Sequence, residues 1–246
     1  MYITVIHGQS HKGVTYTMTQ AVLRRLAGPE DEIKEFFLPK DGPGFCLGCN
    51  SCFLKGGDRC PGADKVQPIV QALDRADVIL LDSPDYVMEM SGPMKNLMDH
   101  LAYRWVTHRP SGAMFTKVGA TLCSSAGAPA GHVTRSMAKQ LKWMCVPWVY
   151  GFPFISNALN AEGLKPEKQA ELERRAGRIA AKVRRRLAHP KTSLRAKLFF
   201  YMFRGMQSSP AGAWNPTDRD WWVSQGWTGS VRPWKTQERA DTQNGR

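Results

Sequence analysis

Asp77-Val78-Ile79-Leu80-Leu81-Asp82 is the stretch that decides the fold. Four aliphatic residues in a row, closed at both ends by carboxylates, show no alternation of apolar and polar positions, so the run reads as a strand buried on both faces. Strands of that kind belong to parallel sheets, and parallel neighbours need crossover helices between them. Upstream, Val66–Leu73 has helical spacing; downstream, Ser91–Leu101 does too. The same alternation continues outward in both directions. Tyr2–Ile6 reads as a strand that runs into His7-Gly8, Thr15–Leu26 as a helix that stops at Gly28-Pro29, and Ile33–Leu38 as a second short strand. After the deciding run come a strand at Lys117–Leu122, a helix at His132–Met144 and a strand at Pro147–Phe154. A long helix, Pro166–Leu187, then carries Leu172, Ala176, Ile179, Val183 and Leu187 on one face. Five strands alternating with helices predict an α/β, doubly wound, five-stranded parallel sheet occupying residues 1–190.

Residues 191–246 read as a helical, Trp-rich extension. Leu194, Leu198, Phe199, Met202, Phe203 and Met206 make a second amphipathic stretch, and Trp214, Trp221, Trp222, Trp227 and Trp234 follow it. Such a concentration of indole rings is not left in water, so the extension is expected to pack on its own domain or on a partner subunit. Residues 39–61 break all periodicity and hold Cys46, Cys49, Cys52 and Cys60. A loop of this length inside a compact domain has a purpose of its own.

Composition narrows the class. With 42% hydrophobic and 22% charged residues the chain is globular, which excludes a disordered or fibrous protein. No apolar run approaches the ~18 residues needed to cross a bilayer, and no signal peptide is read at the start. Six cysteines in 246 residues are too few for a disulfide-stapled secreted scaffold, so a reducing cytoplasm is expected. The net charge of +13 is unevenly placed: residues 1–160 carry 16 Lys+Arg against 13 Asp+Glu, and residues 161–246 carry 18 against 8. A basic helix face of this kind is more often solvated than bound to nucleic acid, and no nucleic-acid partner is expected. A membrane-surface role for Phe199–Met206, flanked by Arg195, Lys197 and Arg204, is the weaker reading of that stretch.

Open parallel sheets bind ligands at the carboxyl ends of their strands. The first such loop, Gly8-Gln9-Ser10-His11-Lys12-Gly13-Val14-Thr15, has G-x4-G spacing but Val14 where a nucleotide-hydrolysing loop needs Lys. It suits a phosphate that is held by a helix N-terminus and not cleaved. No G-x-G-x-x-G dinucleotide fingerprint follows any strand.

The third strand continues as Ser83-Pro84-Asp85-Tyr86-Val87-Met88, with Ser91, Lys95 and Asp99 beyond it. With the first loop, this resembles the flavodoxin-like NAD(P)H-dependent FMN reductases, whose third strand ends S-P-x-Y and whose first loop reads G-S-P-R-K-G-N-T. The similarity covers residues 2–155. It implies a flavodoxin-like fold and non-covalent FMN. Ser10, His11, Lys12, Gly13, Val14 and Thr15 would hold the phosphate, while Pro84, Asp85, Tyr86, Val87 and Met88 would line the isoalloxazine ring. Ser124, Ser125, Ala126 and Gly127, a small-residue loop after the fourth strand, would abut the flavin. NAD(P)H would bind transiently as co-substrate, a quinone, flavin or similar small molecule would accept the electrons, and a homodimer or tetramer is expected. No catalytic side chain is singled out among Tyr86, Asp85 and His132.

Cys46-x2-Cys49-x2-Cys52-x7-Cys60-Pro61 resembles the compact cysteine motif of the iron–sulfur flavoproteins, members of the same fold. That implies a 4Fe–4S cluster near the flavin and, as the alternative function, an electron carrier served by an acidic ferredoxin-like donor. A structural zinc, a disulfide pair and a loop without metal remain open. Cys123 and Cys145 read as small buried hydrophobes.

Overall fold

The computed structural model describes residues 1–235; the end of the extension, 236–246, lies outside the described residues. In chain order the elements are β1 (Tyr2–His7), α1 (Val14–Leu26), β2 (Glu32–Phe37), α2 (Ser51–Leu54), α3 (Ala63–Arg75), β3 (Val78–Tyr86) and β4 (Glu89–Met90). They continue with α4 (Gly92–His100), β5 (Val118–Ser125), α5 (Gly131–Trp143), β6 (Trp148–Ile155), α6 (Pro166–Leu187), α7 (Leu194–Gln207) and α8 (Pro216–Ser224). The sheet order is β2-β1-β3-β5-β6, all parallel, with β4 folded back antiparallel on β3. The strand order reverses between β1 and β3, which places the binding crevice there.

The deciding run behaves as its sequence dictates. Val78 and Leu80 face one layer, where α1 and α6 pack with Ile3, Val5 and Phe152. Ile79 and Leu81 face the other, with α3, α4 and α5. All four are fully buried, and each contributes about 1.5–3 kcal/mol from burial alone. Val5 sits opposite Leu80, and Leu80 opposite Ala120, so the aliphatic rows are in register across three strands.

Two features of the first loop follow from close packing. The Gly8 N–H donates to the Asp82 carbonyl at 2.7 Å, and Ser91 Oγ donates to the Gly8 carbonyl at 2.5 Å. A Cβ at Gly8 would lie 2.7 Å from Ser91 Oγ and 2.9 Å from the Asp82 carbonyl oxygen, so only glycine lets the chain leave β1 here.

The extension packs on its own domain. Phe200 of α7 lies 5.2 Å from the Trp222 ring, 5.8 Å from Trp227, 5.1 Å from Trp234 and 5.8 Å from Phe115, and these rings join the α3–α4–α5 core layer. Trp214 stays largely exposed. Two elements lacked a signal in the sequence. The β3–β4 hairpin turns through Val87 and Met88, both at positive φ (52° and 64°), where Gly or Asn is the usual choice. The cysteine loop contains α2, a single turn held by contacts remote in sequence.

Candidate functional site

The carboxyl ends of β1, β3, β5 and β6 enclose a cleft of about 180 Å³. Its walls bring together His11, Gly13, Val14 and Thr15 from the first loop, Pro84, Asp85 and Tyr86 from β3, and Ser124, Ser125 and Ala126 from β5. At its floor α1 begins on Gly13, and no side chain caps that end. The first N–H groups of a helix have no partner within it, so this terminus presents donors and positive dipole to an anion. Thr15 Oγ1 lies 2.7 Å from Ser124 Oγ, tying the turn to the end of β5.

Other residues expected at the site stand off these walls. Ser10 Oγ donates to the Leu38 carbonyl at 3.0 Å, and Lys12 Nζ lies 5.1 Å from the Tyr16 ring centroid. Val87 and Met88 form the tip of the hairpin, Val87 with 99% of its surface exposed. Gly127 has open space where a side chain would be. Sequence reasoning passed over Gln9, Ser156, Ala158 and Leu159, which complete the cleft. The last three follow β6, and the rule that ligands gather beyond the carboxyl ends of strands would have found them. Ser156 Oγ donates to the Ser125 carbonyl at 2.9 Å and closes that side.

Two residues lining the cleft carry side-chain oxygens without a donor. Both Asp85 carboxylate oxygens and Gln9 Oε1 are buried with no hydrogen-bond partner, and the Asp85 side chain is only 3% exposed. The nearest base, His132 Nε2, is 3.9 Å from Asp85 Oδ2 and itself unpartnered. Buried acceptors cost free energy until a donor arrives. An isoalloxazine ring supplies an N–H, and a flavin phosphate matches the α1 terminus, so the residues present fit FMN.

Beneath the first loop His7 is buried between two carboxylates. Its Nδ1 is 2.5 Å from Asp82 Oδ2 and its Nε2 is 3.0 Å from Glu35 Oε1, while Thr19 Oγ1 donates to Asp82 Oδ2 at 2.6 Å. Burial pulls the imidazole pKa down, but hydrogen bonds to Asp82 and then Glu35 outweigh it, and the value rises from 6.5 to about 9. The charged ring in turn holds Glu35 below the usual carboxylate range.

A second cavity, of about 230 Å³, is lined by Cys46, Cys49, Cys52 and Cys60 together with His100. His100 Nε2 donates to the Gly44 carbonyl at 3.0 Å, which leaves Nδ1 of the neutral ring as acceptor toward Cys60 Sγ at 3.2 Å. Burial, then the neighbouring thiols of Cys60 and Cys46, push the Cys52 pKa up, whereas the Ser51 hydroxyl and N–H hold Cys49 below its ordinary value. Four soft sulfur donors on one cavity suit an iron–sulfur cluster in kind. Among the described residues, however, no three Cys, His, Asp or Glu side chains are gathered as a metal site, and all six cysteines are free thiols.

Comparison with known proteins finds relatives in sequence and in fold. An iron-sulfur flavoprotein of Archaeoglobus fulgidus is 28% identical over 160 residues, which is 62% of this chain and 68% of that protein. An iron-sulfur flavoprotein of Clostridioides difficile is 33% identical over 104 residues, 40% of this chain and 45% of its own length. In fold, the chain is similar to an FMN-dependent NADH-azoreductase from Bacillus anthracis, solved in complex with FMN. The TM-score is 0.55 at 13% identity, covering 73% of this chain and 100% of that one. The sequence pattern of NADPH-dependent FMN reductases matches residues 1–157, a span that takes in the uncapped helix and every loop of the cleft up to Ser156. On that match, the chain belongs to the NADPH-dependent FMN reductase family.

Proposed function

We propose that the chain is an FMN-dependent oxidoreductase that takes hydride from NAD(P)H and reduces a quinone, flavin or similar small acceptor. The observation that carries this is the cleft: an uncapped helix terminus and unpartnered buried acceptors meet at the carboxyl ends of four strands. Bound FMN would supply two-electron chemistry. The protein's own part is to bind and orient. Val14 and Thr15 offer backbone N–H groups to the phosphate, Asp85 and Gln9 accept from the ring, and Ser124–Ala126 let backbone approach its plane. A quinone acceptor takes the two electrons with two protons, one of them from solvent.

Titration of flavin-free protein with FMN, followed by fluorescence quenching, tests the assignment. Thr15→Ala should weaken FMN about fivefold, because it removes the Oγ1–Ser124 hydrogen bond that ties the phosphate-facing turn to β5. Ser10→Ala should change it little, because that hydroxyl is engaged by Leu38. Protein that takes up no FMN would overturn the reading.

One observation favours a second reading. Cys46, Cys49, Cys52 and Cys60 share a cavity, and the two relatives above are named iron-sulfur flavoproteins. On this reading the four thiolates ligate a 4Fe–4S cluster, and the chain carries single electrons from an acidic ferredoxin-like donor attracted by the basic residues of its C-terminal third, 161–246. Anaerobic purification with assay of iron and acid-labile sulfide separates the two. About four irons per chain with little NAD(P)H oxidation supports the carrier, and flavin without iron supports the reductase alone.

A further inference from the structure

Arg109 lies between α4 and β5, buried, and its guanidinium reaches in two directions. Nη1 donates to Asp218 Oδ1 at 2.5 Å and to the Phe53 carbonyl at 2.8 Å, and Nη2 donates to the Cys52 carbonyl. Asp218, at the start of α8, has no exposed surface. His108 Nδ1 lies 2.7 Å from its Oδ2, and Asn215 Nδ2 donates to the same oxygen at 2.8 Å. Taking such a pair out of water costs about as much as the pair returns, so it is a poor device for stability alone. An apolar pair would fill the space as well. It could not offer two N–H donors at fixed positions to the carbonyls of α2.

Those carbonyls need them. α2 is a single turn, too short to hold itself, and the last carbonyls of any helix have no partner within it. Thr217 Oγ1 donates to the Leu54 carbonyl at 2.9 Å, so three consecutive carbonyls, Cys52 to Leu54, are taken by the extension or by the arginine it anchors. The Phe53 ring meets His108 at 4.7 Å and Trp214 at 5.5 Å, closing the contact.

We propose that the C-terminal extension is the clamp of the cysteine loop. Asp218 is a positioning residue that acts through Arg109 on the Cys52 peptide, and so fixes the distance of the Cys52 thiol from Cys46 and Cys60 across their common cavity. The clamp acts on the chain's own backbone and is the same whatever the thiols hold. It gives the extension a role at a site far from it in sequence.

Pulse alkylation of the full chain with iodoacetamide, read peptide by peptide by mass spectrometry, tests this, with iron assayed on every sample. Cys123 and Cys145 are buried and serve as internal reporters of general unfolding. Asp218→Asn should speed labelling of Cys52 about tenfold, as expected for losing a charged hydrogen-bond anchor, while Cys123 and Cys145 stay unlabelled. Thr217→Ala should give a smaller rise, about two- to threefold, for a single neutral bond. Wild-type labelling of Cys52 in Asp218→Asn would overturn the clamp. Where Asp218→Asn also exposes Cys123, Thr217→Ala decides, because it leaves the ion pair in place; wild-type labelling of Cys52 there would overturn the proposal equally.

Discussion

His7 ends β1 with both ring nitrogens against carboxylates, and it titrates at about 9 in the folded chain against 6.5 when free. A group whose folded pKa is raised lends stability that is complete below its unfolded pKa and disappears as pH climbs through the folded one. The urea midpoint should therefore fall between pH 6.5 and about 9, and His7→Gln should flatten that slope. A flat wild-type profile would show that the ring is neutral in the native state. Little of this was legible in the sequence. The turn between β1 and α1 could be read from Gly8 and Gly13 because its geometry is local. The status of Asp85 and His7 depends on β2, α5 and β3 meeting in space, and no spacing along the chain announces that. The partner of Ser10 was hidden in the same way: its hydroxyl donates to the Leu38 carbonyl, 28 residues on.

Among the elements, the β3–β4 hairpin is the least comfortable. A β-branched residue at φ 52° next to Met at φ 64° departs from the Asn-Gly that such a turn favours. Val87→Asn with Met88→Gly should stabilise the fold by about 1–2 kcal/mol, measured by urea unfolding. The tip adjoins Asp85 and Tyr86 on the cleft wall, and backbone strain of this kind gathers at functional positions. The same variant should accordingly raise KM for the acceptor; an unchanged KM would leave the tip without a part in binding. The long strands and α6 were readable because their apolar spacing is strong. β4 was not, since two residues carry no period, and α2 was hidden because its support comes from Arg109 and Thr217.

At the scale of the whole molecule, the extension is bound by aromatic packing. Trp222 is fully buried against Phe200 and Trp227, and Trp222→Ala should cost about 3–5 kcal/mol in urea unfolding. The outer face of α7 is different: Leu194, Leu198, Tyr201 and Met202 stay exposed along one side. The homodimer or tetramer that the resemblance implies would need such a stripe to cover. Sedimentation equilibrium should then show Leu198→Glu with Met202→Glu shifted to the monomer mass, and an oligomer of unchanged mass would assign the contact elsewhere. The parallel sheet was legible because its topology follows from the alternation of elements. Where the tryptophans go was not, since five rings can bury themselves equally well at home or abroad.

The contact between Asp218 and Arg109 also sets an order of assembly. Synthesis runs from the N-terminus, and domains form as their residues become available. Every residue lining the cleft proposed for FMN has been made once Leu159 is added, whereas the cysteine loop has to wait for Asp218. A nascent chain therefore holds every residue of the proposed FMN cleft, and then the α6 helix that packs on its sheet, before it holds the residue that fixes its thiols.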